Sequence, residues 1–173
     1  MLAKGKRGIV FLKRFGGKQI VVKKKNPEST AVGRIAIEAK FLKLLNKYDI
    51  GPRFIYYKED ELGMEYIKGE LFEEYTDNEK VVKEIFLQMY QMDKLGINKK
   101  EMHHPTKHII IRDGKAVLID FERCHYTEKP KNVSQFVQYI RRVFNLDNRI
   151  LEAAKEYKKN PTKNNLNKII SCV

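Results

Sequence analysis

The stretch Val117-Leu118-Ile119-Asp120-Phe121-Glu122 decides the fold class of this chain. Its apolar run ends in an aspartate followed by phenylalanine, and it comes directly after Arg112-Asp113-Gly114-Lys115. The Asp-Gly pair is typical of a tight hairpin turn. A carboxylate at the end of such a strand can bind a hard cation, so Asp120 is a candidate magnesium ligand. The alternative is a strand-end aspartate that caps its own turn.

Upstream, the sequence offers a lysine and a glutamate that suit one ion pair. Ile20-Val21-Val22-Lys23 ends a β-type run, which would point Lys23 into a cleft where it neutralises phosphate charge. The alternative is a solvated lysine at a strand end. Glu38 lies on the apolar side of a predicted helix, where an ionised carboxylate needs a partner. We expect Lys23 to be that partner; the alternative is a boundary glutamate that reaches solvent.

Two further segments fit a nucleotide site. Gly5-Lys6-Arg7-Gly8-Ile9-Val10 matches the latter part of the pattern G-x-G-x-x-G-x-V, which makes Gly5, Gly8 and Val10 candidate nucleotide-binding residues. Met64-Glu65-Tyr66-Ile67 ends a predicted strand, where backbone groups can pair with an adenine edge. Glu65, Tyr66 and Ile67 are therefore candidates as well. Taken alone, the glycine pattern often marks only a turn, and the alternative for the second segment is an ordinary strand end.

Hydrophobic periodicity predicts a β-rich first part and a helical second part. The first part contains a hairpin, Ile9–Leu12 with Gln19–Lys23, then a helix over Ala31–Tyr48, and strands over Phe54–Lys58 and Leu62–Ile67.

The second part, after a crossover near Lys68, contains a helix that ends near Gly96. A helix that begins near Asn132 and another over Ile150–Tyr157 follow.

Together these motifs resemble the protein-kinase-like superfamily, and within it the RIO kinases, the KEOPS-complex kinase and related small serine/threonine kinases. The resemblance covers roughly Leu2–Arg123. It implies an α+β, two-lobed fold in a single domain over residues 1–173. An antiparallel β-sheet with one helix would form the N-lobe (1–67), and a reduced, mainly helical C-lobe would follow (68–173). The resemblance also implies ATP and Mg²⁺ as cofactors.

The catalytic loop departs from the family pattern, H-x-D followed five residues later by Asn. If Ile109 begins the next strand, His108 takes the Asn position as a metal ligand, and counting back five residues reaches His103. Glu101 would supply the base if the loop carries two extra residues. For His103 an ordinary surface loop is an equal alternative. The catalytic candidates are thus Lys23, Glu38, Glu101 and His103, and the metal candidates are Asp120 and His108.

The net charge of the chain indicates a polyanion as a candidate partner. Its formal net charge is +13, and the first 25 residues carry nine basic residues and no acidic one. RNA or a ribonucleoprotein is therefore a candidate partner, with a solvated basic face as the alternative. No apolar run approaches the roughly 20 residues of a membrane span, so we expect no membrane association and a cytoplasmic location.

Three functions remain open at this point. The first is an ATP-dependent serine/threonine kinase or ATPase, for which autophosphorylation or ATP hydrolysis is favoured over broad protein-substrate use. The second is a catalytically weak pseudokinase, since the H-x-D aspartate is not recognisable. The third is a basic RNA- or ribonucleoprotein-binding module.

Overall fold

The computed structural model describes residues 1–75 and 78–173, which form two compact units. The first unit comprises Met1–Lys68 together with Leu118–Cys124, and the second comprises Gly69–Val117 together with His125–Val173. The single domain with a lobe boundary at 67/68 stays a prediction. Apart from Val117, the segment that decided the fold class belongs with the N-terminal residues, so Asp120 lies in the same unit as Lys23 and Glu38.

The first unit contains a five-stranded antiparallel sheet in the spatial order β1-β2-β3-β5-β4. The predicted hairpin is present, and its turn at Gly16 and Gly17 has the positive φ angles that glycine favours. Val10 pairs with Lys23 across this hairpin. The strands are β1 (Ala3–Lys4), β2 (Gly8–Phe15), β3 (Lys18–Lys25), β4 (Phe54–Lys58) and β5 (Glu61–Glu65).

One helix, α1 (Arg34–Leu45), packs on this sheet and continues into a 3₁₀ turn over Asn46–Tyr48. It begins later than the predicted Ala31 because Gly33 has a left-handed backbone (φ 68°) that cannot be part of an α-helix. Its buried face carries Glu38 among apolar side chains. Those apolar residues are Ile35, Ala39, Phe41, Leu42 and Leu45.

The second unit is mainly helical, as predicted. Phe86 and Phe136 meet edge to face in its core with ring centroids 4.8 Å apart. Its helices are α2 (Glu79–Lys94), α3 (Asn132–Val143), α4 (Arg149–Lys159) and α5 (Lys163–Ile170). Its short strands are β6 (Glu70–Leu71), β7 (Ile97–Asn98), β8 (Ile109–Arg112), β9 (Lys115–Leu118) and β10 (His125–Tyr126), with sheet orders β6-β8-β9 and β10-β7.

A buried polar network joins three helices of the second unit. Asn132 Nδ2 donates hydrogen bonds to Asp93 Oδ1 (2.7 Å) and to the Ile97 carbonyl oxygen (2.6 Å). The Tyr157 hydroxyl donates to Asp93 Oδ2 (3.0 Å), and the Lys99 backbone N–H donates to Asn132 Oδ1 (2.7 Å). Burial raises the pKa of Asp93 to about 6, although the hydrogen bonds that it accepts from Asn132 and Tyr157 oppose the rise.

Of the helices formed by residues 1–75 and 78–173, none has the length and apolar character needed to cross a membrane.

Candidate functional site

Lys23, near the end of β3, is the centre of a charged cluster in the first unit. Its Nζ lies 2.7 Å from Glu38 Oε2, 2.8 Å from Asp120 Oδ1 and 3.2 Å from Glu122 Oε2. The expected ion pair with Glu38 is therefore present. These four residues, hereafter the Lys23 cluster, place one ammonium group among three carboxylates. Lys23 Nζ donates hydrogen bonds to Asp120 and Glu122 and forms an ion pair with Glu38.

The protonation of Lys23 follows from these neighbours. Burial by itself would lower the pKa of Lys23, but the charges of Glu38, Asp120 and Glu122 outweigh it and raise the pKa above its ordinary value. Burial raises the pKa of Glu38, and the positive charge of Lys23 opposes that rise. Lys23 is accordingly a fixed positive charge near neutral pH.

Glu38 reaches the cluster from the buried face of α1, where its side chain is 1% exposed. Its second oxygen, Oε1, accepts a hydrogen bond from the Phe121 backbone N–H at 3.3 Å. Glu38 therefore fixes both the ammonium group of Lys23 and the main chain just after Asp120.

Asp120 is the most accessible carboxylate of the cluster. Its side chain is 32% exposed, against 8% for Glu122. Its backbone is left-handed (φ 64°), a conformation that aspartate adopts more readily than most residues. Glu38, Asp120 and Glu122 each place a carboxylate oxygen within 4.8 Å of the others. Hard oxygen donors of this kind are those that Mg²⁺ prefers, so the donor set fits that ion.

Glu122 is a cluster member that sequence reasoning missed. Its Oε1 accepts a hydrogen bond from Arg7 Nη1 at 3.1 Å, while its Oε2 faces Lys23. Its carbonyl oxygen accepts a hydrogen bond from Arg34 Nη1 at 3.4 Å. The sequence feature that could have identified Glu122 is its position two residues after Asp120, directly after a phenylalanine that is buried.

The glycine turn, Gly5–Gly8, connects β1 to β2. The Gly5 N–H donates to the Gly8 carbonyl oxygen at 2.9 Å. Asn26, directly after β3, holds this turn: its Nδ2 donates to the Gly5 carbonyl oxygen (3.0 Å) and its backbone N–H donates to the Arg7 carbonyl oxygen (2.9 Å). A Cβ atom at Gly8 would lie 2.9 Å from Lys23 Cε, so the absence of a side chain there leaves room for the lysine.

The proposed adenine-pairing segment lies at the end of β5. Glu65 is the last strand residue, and Tyr66 and Ile67 follow outside any strand. Glu65 Oε2 accepts a hydrogen bond from the Arg53 backbone N–H at 3.1 Å, so this side chain helps to fix the backbone just before β4. A role of these three residues in binding adenine stays a prediction.

Glu101, His103 and His108 belong to the second unit. Glu101 Oε2 lies 3.5 Å from the Nζ of Lys99, whose side chain is fully buried. His103 is exposed and contacts His104, with ring centroids 4.8 Å apart. The His108 N–H donates to the Pro105 carbonyl oxygen at 2.8 Å. The catalytic roles of Glu101 and His103 and the metal-ligand role of His108 stay predictions.

No protein-family model and no curated protein matches the chain. Among solved structures, the fold is similar to that of the Rio2 kinase from Chaetomium thermophilum, crystallised as an ADP/Mg²⁺-phosphoaspartate complex. The TM-score is 0.66 at 15% sequence identity, over 98% of this chain and 68% of that chain. The protein thus has a protein-kinase-like fold of the RIO type, and the predicted α+β, two-lobed fold class is confirmed.

Proposed function

We propose that this protein is an ATP- and Mg²⁺-dependent phosphotransferase, a RIO-like serine/threonine kinase or ATPase whose nucleotide phosphates bind at the Lys23 cluster. The observation that carries the proposal is the buried Lys23 held by three carboxylates. Buried charges of this kind contribute little to stability, because the loss of hydration offsets their attraction. Clusters of this kind are instead common where charge is needed for function.

The residues of the cluster suit distinct tasks in this reaction. Lys23 would neutralise phosphate charge, and Glu38 would hold the ammonium group in position. Asp120, with Glu122 beside it, would hold Mg²⁺, which when bound neutralises negative charge on the phosphates. Backbone N–H groups of the glycine turn would lie against the phosphates.

The charge balance of the cluster favours a cation with the nucleotide. Three carboxylates face two cations, Lys23 and Arg7. When nucleotide phosphates bind to Lys23, its positive charge no longer neutralises the three carboxylates to the same extent. A divalent cation restores the balance, so nucleotide and Mg²⁺ are expected to bind cooperatively.

Autophosphorylation or ATP hydrolysis is the proposed outcome. In either reaction an oxygen nucleophile attacks the terminal phosphorus, the bond to the bridging oxygen breaks, and ADP leaves. Glu101 or His103 would accept the proton of a hydroxyl nucleophile. Because the solved Rio2 complex holds a phosphoaspartate, an aspartate is the acceptor to test first.

The test is a single-turnover reaction with γ-labelled ATP, followed on both free phosphate and the protein. We expect Mg²⁺-dependent release of phosphate or labelling of the protein, and both should be lost in Asp120→Asn. Label that hydroxylamine removes would indicate an acyl phosphate, whereas resistant label would indicate a serine or threonine ester. ATP binding without either product would contradict phosphotransfer and leave the pseudokinase alternative.

The β2–β3 hairpin supports RNA or ribonucleoprotein binding as a second candidate function. Lys13, Arg14 and Lys18 are exposed near its turn, and Phe15 beside them is 58% exposed. Basic side chains next to an aromatic ring suit the phosphates and bases of single-stranded RNA. Salt-sensitive binding of an oligouridine that is lost in Arg14→Glu/Lys18→Glu would support this function. Binding unchanged in that variant would exclude the hairpin.

A further inference from the structure

Helices α3 and α4 form a groove on the second unit with a volume of about 370 Å³. Each helix contributes one face, because the lining residues recur with the spacing i, i+3, i+4 and i+7. The lining residues are Lys131, Ser134, Gln135 and Gln138 at and after the start of α3, Leu151, Ala154, Lys155 and Lys158 on α4, and His103.

The groove is positively charged. Lys131, Lys155 and Lys158 are exposed, and none of the described residues that line the groove is acidic. The glutamates of α4 lie at other positions of the helix, and one of them, Glu156, pairs with Lys168 at 2.7 Å. A partner for this groove should therefore carry negative charge.

The floor of the groove adds two features that a purely electrostatic surface lacks. Leu151 and Ala154 supply apolar area. The Oε1 atom of Gln135 is buried and has no hydrogen-bond donor among residues 1–75 and 78–173. Buried acceptors are nearly always paired, and because this atom is occluded, a donor from a partner reaches it once the Gln135 side chain turns toward the groove.

These features together favour one of two acidic macromolecules. The phosphodiester groups of a nucleic acid supply acceptors only, so a nucleic acid could pair with Gln135 Oε1 only through a base or a ribose hydroxyl. A polypeptide supplies a backbone N–H at every residue except proline. An acidic peptide also carries side chains of both kinds that the groove accommodates, carboxylates for the lysines and an apolar group for the floor.

We propose that the α3–α4 groove is a docking site for an acidic, extended segment of a partner protein. Its carboxylates pair with Lys131, Lys155 and Lys158, one of its backbone N–H groups donates to Gln135 Oε1 once that side chain turns toward the groove, and an apolar side chain covers Leu151 and Ala154. Docking of this segment does not itself require phosphoryl transfer, although His103, a candidate base of that reaction, also lines the groove.

The test measures fluorescence anisotropy of the full chain with a labelled peptide of about 12 residues, built of glutamate and serine around a central leucine, a length that spans roughly 40 Å when extended. The variant is Lys155→Glu/Lys158→Glu. Lys47→Glu/Lys115→Glu is the matched control, since it changes the net charge equally at two exposed lysines outside the groove and outside the β2–β3 hairpin. Gln135→Met removes the buried acceptor at similar size. Thermal melts establish that each variant is folded.

We expect the groove variant to lose at least about tenfold in affinity, roughly 1.4 kcal/mol, and to gain affinity for a peptide with lysines in place of the glutamates. Gln135→Met should weaken binding severalfold, and the Lys47→Glu/Lys115→Glu control should retain it. The proposal is overturned if the groove and control variants weaken binding equally, or if wild type does not bind the peptide. It is also overturned if an oligouridine competes for the groove more strongly than the peptide does.

Discussion

Arg7 Nη1 lies 3.1 Å from Glu122 Oε1, which joins the glycine turn to the segment that follows Asp120. The same carboxylate faces Lys23 through its other oxygen at 3.2 Å. Glu122 is therefore shared between the turn and the lysine. Replacing Arg7 should therefore affect Lys23, because both side chains bind the same carboxylate.

The first prediction concerns this pair. Arg7→Ala should weaken ATP binding by about three- to tenfold, because the glycine turn loses its attachment to Glu122 and must be ordered by the nucleotide. Calorimetric titration with Mg-ATP measures the effect. Lys6→Ala removes an equal charge from the neighbouring, exposed position and should change the affinity less than about twofold. Equal effects of the two changes would mean that the turn acts only through its net charge.

The second prediction separates stability from function at Lys23. Lys23→Met leaves three carboxylates around an uncharged side chain, so it should destabilise the protein by about 3–5 kcal/mol and abolish ATP binding. Lys23→Met/Glu38→Leu removes the most buried charge as well, and it should regain part of the stability without regaining ATP binding. Urea unfolding and calorimetry provide the two readouts, with Lys25→Met on the same strand as the control. A double variant less stable than Lys23→Met would contradict this account.

The third prediction concerns the close approach at Gly8. Gly8→Ala should weaken ATP binding at least about tenfold, because the added methyl group would meet Lys23 Cε at 2.9 Å and the Lys24 carbonyl oxygen at 3.3 Å. Gly5→Ala is the matched control, since its added methyl group would meet its nearest neighbour, the Gly8 carbonyl oxygen, at an ordinary 3.4 Å. If both variants bound ATP like the wild type, Gly8 would have no part in positioning Lys23.

The fourth prediction concerns the pH dependence of stability through Asp93. Its folded-state pKa of about 6 is above its ordinary value, so the folded state binds this proton more tightly than the unfolded chain does. The resulting stabilisation is fully present below about pH 4, the unfolded pKa, and is lost as the pH rises through about 6, by roughly 2–3 kcal/mol.

Urea unfolding of the wild type and Asp93→Asn between pH 4 and pH 7 tests this prediction. The unfolding free energy of the wild type should fall relative to that of Asp93→Asn as the pH rises. Parallel profiles would show that Asp93 does not titrate in this range.

Sequence reasoning found the parts of the site that depend on periodicity and on local motifs. Glu38 was predicted to face inward because a helical wheel places it among apolar residues, and Asp120 was singled out by its position at the end of an apolar run. The start of α1 was predicted too early because the left-handed backbone of Gly33 is not evident from apolar spacing.

The contacts of Arg7, Asn26 and Glu122 were missed for a different reason. Each depends on backbone turns that bring distant segments together, such as the left-handed φ of Asp120 and the tight Gly5–Gly8 turn. Residues 7 and 122 are far apart in the chain, and their pairing follows from the tertiary fold. Neither hydrophobic pattern nor motif spacing carries that information.

The central claim is that the Lys23 cluster binds a nucleotide together with Mg²⁺, and calorimetry tests it most directly. ATP should be titrated into wild type, Lys23→Ala, Asp120→Ala and the control Lys25→Ala, with and without Mg²⁺. The account predicts Mg²⁺-dependent binding to the wild type and the control, weakened by at least about tenfold in both cluster variants. Absence of binding to the wild type, or binding that neither cluster variant weakens, would contradict it.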